Sequence, residues 1–239
     1  MATVLDCARL CDAVYETNPA AAGWTRIGFH EAGYLPQSAF QGAAFQKAGT
    51  VVFAFKGTSV ASRSAVGDVL ADLKLGVGMN TVQFDLAGQF VEETLVPDGH
   101  RVLLTGHSLG GAIAQIVGNR RRLPFLTFNA PGVGVIAGNT SEIANQSPLM
   151  GALRVAGSVI SVFRHPVQAA QDAGSLFYRV QGMNVRLSTD PVSMIGIHYG
   201  RIATLPYSGL LDAHGIGTVI GVLESNATGG IPAEHLTRR

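Results

Sequence analysis

The chain has 239 residues, 47% of them hydrophobic, enough to bury one full core and one inserted segment. Lysine and arginine total 17 against 16 for aspartate and glutamate, so a net charge of +1 leaves no electrostatic footprint for nucleic acid. Asp6, Arg9 and Asp12 interrupt the opening where a Sec leader would be continuously apolar, and no window reaches the roughly 18 apolar residues that a membrane span needs. The expectation is a single domain over residues 1–239, cytoplasmic when made or exported without a cleaved signal.

Residues 3–16 place Val4, Ala8, Cys11 and Tyr15 near one face of an amphipathic helix. Cys7 and Cys11, four apart on that helix, are poorly placed for a disulfide and are read as free thiols in the core. Two β-rich runs then flank Lys47, Ala48 and Gly49, predicting a hairpin whose second strand, nearly all apolar, is buried. A further strand begins at Arg101 and another at Pro124, separated by LGGAIAQIVGNRRR with helical apolar spacing. Strand, helix, strand in that rhythm implies an α/β fold with a mostly parallel central sheet flanked by helices. Residues 132–175 carry the apolar run PLMGALRVAGSVISVF and read either as a lid or cap segment or as a core helix over the sheet. Beyond them, FYRVQGMNVRL reads as the last strand region and DAHGIGTVIGVLE as a C-terminal helix.

The chemistry concentrates in TGHSLGG, residues 105–111, which contains Gly-x-Ser-x-Gly centred on Ser108. That pattern carries a nucleophile only where a strand turns sharply into a helix, because the serine adopts a strained conformation that flanking side chains would block. A strand-like run precedes it here and a helix-like run follows. A serine hydroxyl needs an imidazole to take its proton and a carboxylate to fix the imidazole, in the chain order Ser, acid, His. His107 lies inside the turn and is excluded as base. His214, just before an apolar helix, is the favoured base, with His198 the rival and His235 in a polar tail where disorder is expected. Asp190, at a strand end and followed by Pro191, is the favoured acid; Asp212 is read as the cap of the last helix, and Asp68 and Asp72 as helix or turn carboxylates. The oxyanion donors fall on Leu109, at the start of the helix, and on Thr58 in FKGTS, where Gly57 lets backbone approach closely.

FKGT, then GHSLGG, then Asp-Pro followed by an apolar residue, then a late histidine resemble the class 3, or fungal-type, lipase family of the α/β-hydrolase superfamily, over roughly residues 51–222. The resemblance implies an α/β-hydrolase core acting on acyl esters, with Ser108, Asp190 and His214 at the catalytic positions and Thr58 and Leu109 at the oxyanion positions. FNAPGVG departs from the aromatic-proline run often found in the family, and the Asp-to-His interval is short. The chain is closer to bacterial members exported without a cleaved signal, among which are type VI secretion lipase effectors. The function implied is a serine hydrolase of lipid esters, a triacylglycerol lipase or phospholipase. Its alternatives are another acyl hydrolase, including a peptidase, an acyltransferase, or a non-catalytic lipid-binding protein of the same fold. A lipid or ester substrate brings peripheral membrane contact, and an immunity or secretion partner follows if the chain is an effector.

Three other patterns are set aside. Gly132–Gly138 loosely fits a dinucleotide fingerprint but opens no convincing helix. Arg120, Arg121 and Arg122 sit where cations complement a helix end. His30 and Glu31 lack the second histidine of a zinc motif, so neither metal nor cofactor is expected.

Overall fold

The structure, a computed structural model, describes residues 1–32, 40–57, 81–133, 181–196, 198–209 and 212–237. Helix α1, Val4–Ala13, opens with a capping box: Thr3 Oγ1 accepts from the Asp6 N–H, and Asp6 accepts in return from the Thr3 N–H at 2.9 Å. Its buried residues Val4, Cys7, Ala8, Leu10 and Cys11 recur at three- and four-residue spacing and form one stripe. Cys7 and Cys11 are both free and buried, and Cys11 Sγ lies 3.2 Å from Thr105 Oγ1.

Strands β1 (Thr25–Ala32), β2 (Phe40–Lys47) and β3 (Thr50–Phe55) pair antiparallel. Strands β4 (Arg101–His107), β5 (Phe125–Phe128), β6 (Gly182–Leu187) and β7 (Arg201–Leu205) then continue the sheet in parallel from β3. These seven lie side by side in chain order. Helix α2, Thr81–Glu93, lies in the chain between β3 and β4, and α3, Leu109–Arg121, joins β4 to β5. Because successive crossovers move the same way along the sheet and right-handed crossovers are the rule, both helices fall on the same face. The packing agrees. Phe84 and Phe90 of α2 share a core with Ile113 and Val117 of α3 and with Val51, Phe53 and Phe55 of β3. Val52 and Ala54, pointing the other way, join Cys7 and Leu10 of α1 and Val219 and Leu223 of helix α4 (Ile216–Glu224).

The hairpin forms where the sequence places it, with Ala48 and Gly49 at φ of 45° and 73° in its turn. FYRVQGMNVRL is not the last strand region: β6 starts at Gly182, and β7 follows it with Arg201, Ile202 and Thr204 exposed. A half-wet edge strand lacks the apolar run that marked the others. His235 does not sit in a disordered tail. It lies in helix α5, Ala233–Thr237, held against the opening of the chain by the Ala233 N–H donating to the Ala2 carbonyl at 2.9 Å. Arg120 and Arg121 occupy the last turn of α3 and pair with Asp85 and Glu92 of α2, so they brace two helices. Most of the 132–175 segment, along with Asp68 and Asp72, falls outside the described residues.

Candidate active site

Ser108 stands at the turn between β4 and α3 with φ 55° and ψ −127°, a backbone state that L-residues avoid. The neighbouring glycines explain how the turn closes. A Cβ on Gly106 would come within 2.2 Å of the Gly110 carbonyl, and one on Gly110 within 2.0 Å of the Phe55 carbonyl oxygen at the end of β3. Turn and sheet are in backbone contact there, and only hydrogen side chains fit. The N–H groups of Leu109 and Gly110 open α3 ahead of its first intrahelical bonds, which Gly111 and Ala112 make to the Ser108 carbonyl, and they bring the positive end of the helix dipole to the serine. Thr58 lies outside the described residues; Gly57, just before it, is pressed against the turn, since a Cβ there would lie 2.5 Å from the His107 carbonyl oxygen.

The loop from Asp212 to Gly215 carries His214 to this turn. His214 Nε2 is 2.9 Å from Ser108 Oγ, and its Nδ1 is 3.0 Å from Asp190 Oδ1. Asp190 is fully buried at the start of the loop after β6, and its two oxygens accept from the backbone N–H groups of Val192 and Ser193 at 3.2 and 3.0 Å. With the carboxylate so fixed, His214 donates from Nδ1 and presents the lone pair of Nε2 to the serine hydroxyl. Ser108 is 1% exposed and His214 9%. The three residues singled out in the sequence are therefore in one hydrogen-bonded line.

The rival and decoy residues are elsewhere. His198 donates from Nε2 to the Ser193 carbonyl at 2.9 Å, and burial, followed by the nearby Arg186 charge, pulls it down to about 4 against the opposing pull of that hydrogen bond. Asp212 does not cap α4: Gly215 occupies the cap position, and Asp212 accepts instead from the Tyr207 hydroxyl at 2.7 Å. Its own carbonyl is taken by the Gly215 N–H, which closes the turn ahead of the helix.

Two residues at the site have a place that sequence reasoning did not give them. Asn129, at φ 44° just past β5, donates from Nδ2 to the carbonyls of Ala213 and His214 at 2.7 and 3.2 Å, while its Oδ1 accepts from the Leu187 N–H. It ties the His214 loop to the ends of two strands. The only sequence signal is an asparagine, a residue tolerant of left-handed backbone, ahead of Ala-Pro-Gly at a strand end. His107 faces away from the serine, as the turn demands, but its Nε2 lies 2.6 Å from the His214 carbonyl oxygen. Burial and then the neighbouring His214 push His107 down to about 3, so the ring is neutral.

Comparison with known proteins gives this geometry a family. Residues 6–207 match the profile of the Tle-like phospholipase domain, a span that includes Ser108 and Asp190 and ends before His214. The chain belongs to the Tle-like phospholipase family. An extracellular phospholipase A1 of Serratia liquefaciens is 27% identical over 231 residues, covering 89% of this chain and 68% of that protein. Among solved structures, the Lip2 lipase of Yarrowia lipolytica aligns over 84% of this chain and 77% of its own with a TM-score of 0.49 and 12% identity. This Tle-like phospholipase has the mostly parallel, helix-flanked sheet of an α/β-hydrolase, and its activity class is lipid ester hydrolysis. Among its described residues no helix is long and apolar enough to cross a membrane.

Proposed function

We propose that the protein, read as a single α/β-hydrolase domain over residues 1–239, hydrolyses the acyl esters of phospholipids with Ser108 as nucleophile, His214 as general base and Asp190 as its orienting acid. The contact of His214 with both Ser108 Oγ and Asp190 carries this reading, in a chain whose family is a phospholipase family. In the first half-reaction the Ser108 hydroxyl proton passes to His214 Nε2 as Oγ bonds to the ester carbon. The carbonyl π electrons move onto oxygen, held by the N–H of Leu109 and a donor at Thr58. The intermediate collapses, the bond to the glycerol oxygen breaks, and that oxygen takes the proton from Nε2 as the lysophospholipid leaves. Water then repeats the sequence on the acyl-enzyme: its proton goes to Nε2, its oxygen bonds to the acyl carbon, and the proton returns to Ser108 as the fatty acid departs.

The name of the Serratia relative points to the sn-1 ester as the bond cut. A lipid substrate held in a bilayer calls for peripheral docking, and the same relative's extracellular character supports export. The test compares phosphatidylcholine vesicles with triacylglycerol emulsions, identifying both products. Wild type should release fatty acid and a 2-acyl lysophospholipid, and Ser108→Ala should lose about 10³-fold or more in turnover. A fluorophosphonate should label Ser108 in the wild type and fail on His214→Ala. Undiminished hydrolysis by purified Ser108→Ala would overturn the assignment of the nucleophile, and hydrolysis confined to the emulsion would overturn that of the substrate.

A further inference from the structure

The turn that presents Ser108 contains a second imidazole that the reaction does not use. His107 Nε2 lies 2.6 Å from the His214 carbonyl oxygen, and a carbonyl only accepts, so the proton of this neutral ring is on Nε2. Its Nδ1 is then an acceptor, and the hydroxyl 3.2 Å away, that of Tyr15 just beyond α1, donates to it. The same Tyr15 oxygen packs against Gly57, at the end of the loop that leads to Thr58, where an added Cβ would lie 2.6 Å from it. Donors and acceptors thus alternate from Tyr15 through His107 to the main chain of His214. His107 is buried away from bulk water and Tyr15 half-buried beside it, where hydrogen bonds of fixed direction count for more than in open solvent. The two imidazole rings sit 4.9 Å apart and tilted by 39°, so His107 also walls one side of His214.

Resting on the triad proposed above, we propose that Tyr15 and His107 are positioning residues that hold His214 and the Gly57 loop in fixed relation to Ser108. Among the described residues, the titratable groups facing His107 are Tyr15 from the end of α1, His214 from the loop before α4, and Asp190, more distant, from the loop after β6. Asn129 shares the His214 carbonyl from the other side, so that this carbonyl accepts two hydrogen bonds. One donor orients an oxygen only loosely, and two fix the peptide plane from which the His214 side chain projects. A misplacement of about 1 Å at a reacting group costs on the order of 10²-fold in rate.

The test uses the full chain with His107→Leu, His107→Gln and Tyr15→Phe, each checked for folding by its melting curve. Gln places an amide N–H about where Nε2–H stands, and Leu fills the space without a donor. The expected result is a fall in kcat of roughly 10- to 100-fold for His107→Leu with KM within about twofold of wild type. His107→Gln should recover most of that loss, and Tyr15→Phe should lower kcat by at least about threefold at unchanged KM. Equal impairment of the Leu and Gln variants, or wild-type kcat in either His107→Leu or Tyr15→Phe, would overturn the proposal. Should His107→Leu fail to fold, the near-isosteric Tyr15→Phe decides alone. Inactive Ser108→Ala and His214→Ala beside an unaffected Tyr15→Phe would sink the positioning role and leave the triad standing. Active Ser108→Ala would sink the triad itself.

Discussion

A single methyl group at position 110 has nowhere to go. It would lie 2.0 Å from the Phe55 carbonyl oxygen and 2.9 Å from the Gly57 nitrogen, both backbone atoms that cannot swing aside. Gly110→Ala should therefore force the turn off the sheet, costing at least about 1–3 kcal/mol as an overpacked site and carrying Ser108 away from His214. Esterase activity should fall by at least about 10²-fold and the melting temperature with it; wild-type activity in that variant would contradict the crowding described. The same crowding made Ser108 legible in the sequence, since glycines at both flanks are what such a turn requires. Asp190 and His214 were legible for another reason: chain order in this fold leaves few candidates, and each stands beside a strand or helix that could deliver it. Tyr15 and Asn129 were not. Tyr15 meets His107 across 92 positions and Asn129 meets Ala213 across 84, and no local pattern encodes such meetings.

At the scale of an element, the β2–β3 turn is built against one of its own residues. Ala48 and Gly49 both have positive φ, the conformation of a two-residue hairpin turn that favours Asn-Gly. Gly49 adopts it freely, whereas the Cβ of exposed Ala48 costs roughly 1–2 kcal/mol there. Ala48→Asn should thus stabilise the protein by about 0.5–1 kcal/mol, raising the melting temperature by a few degrees with catalysis unchanged. A lower melting temperature would refute that account of the turn. The hairpin was readable because two apolar runs bracket a short break, and α3 because its apolar spacing directly follows the serine turn. Strand β1 was not readable, for its residues TRIGFHEA are at most half-buried and follow neither period. Strand β7 was missed on similar grounds, being an edge on which Arg201, Ile202 and Thr204 are all exposed.

Over the whole molecule, two buried neutral histidines set how it responds to acid. An unfolded histidine titrates near 6.5, whereas His107 and His198 are held down to about 3 and about 4 in the folded chain. As pH falls below about 6.5 the unfolded chain takes up protons that the native one refuses, so stability declines by at most about 1.4 kcal/mol per pH unit for each ring. The decline from His198 ends near pH 4 and that from His107 near pH 3, where the native rings charge as well. Urea midpoints should accordingly drop between pH 7 and pH 5, and His198→Gln should remove part of that slope. A midpoint independent of pH over this interval would show that these rings are not buried as described. Nothing in the sequence disclosed this sensitivity, because it comes from burial and not from residue type. The hydrogen-bonded line from Tyr15 through His107 to His214 also fixes when the enzyme can come alive. Its first member leaves the ribosome early, Ser108 much later, and His214, the proposed base, 106 residues after that serine. On the proposed mechanism, a nascent chain that has emerged past Ser108 but not to His214 therefore carries only an unactivated hydroxyl.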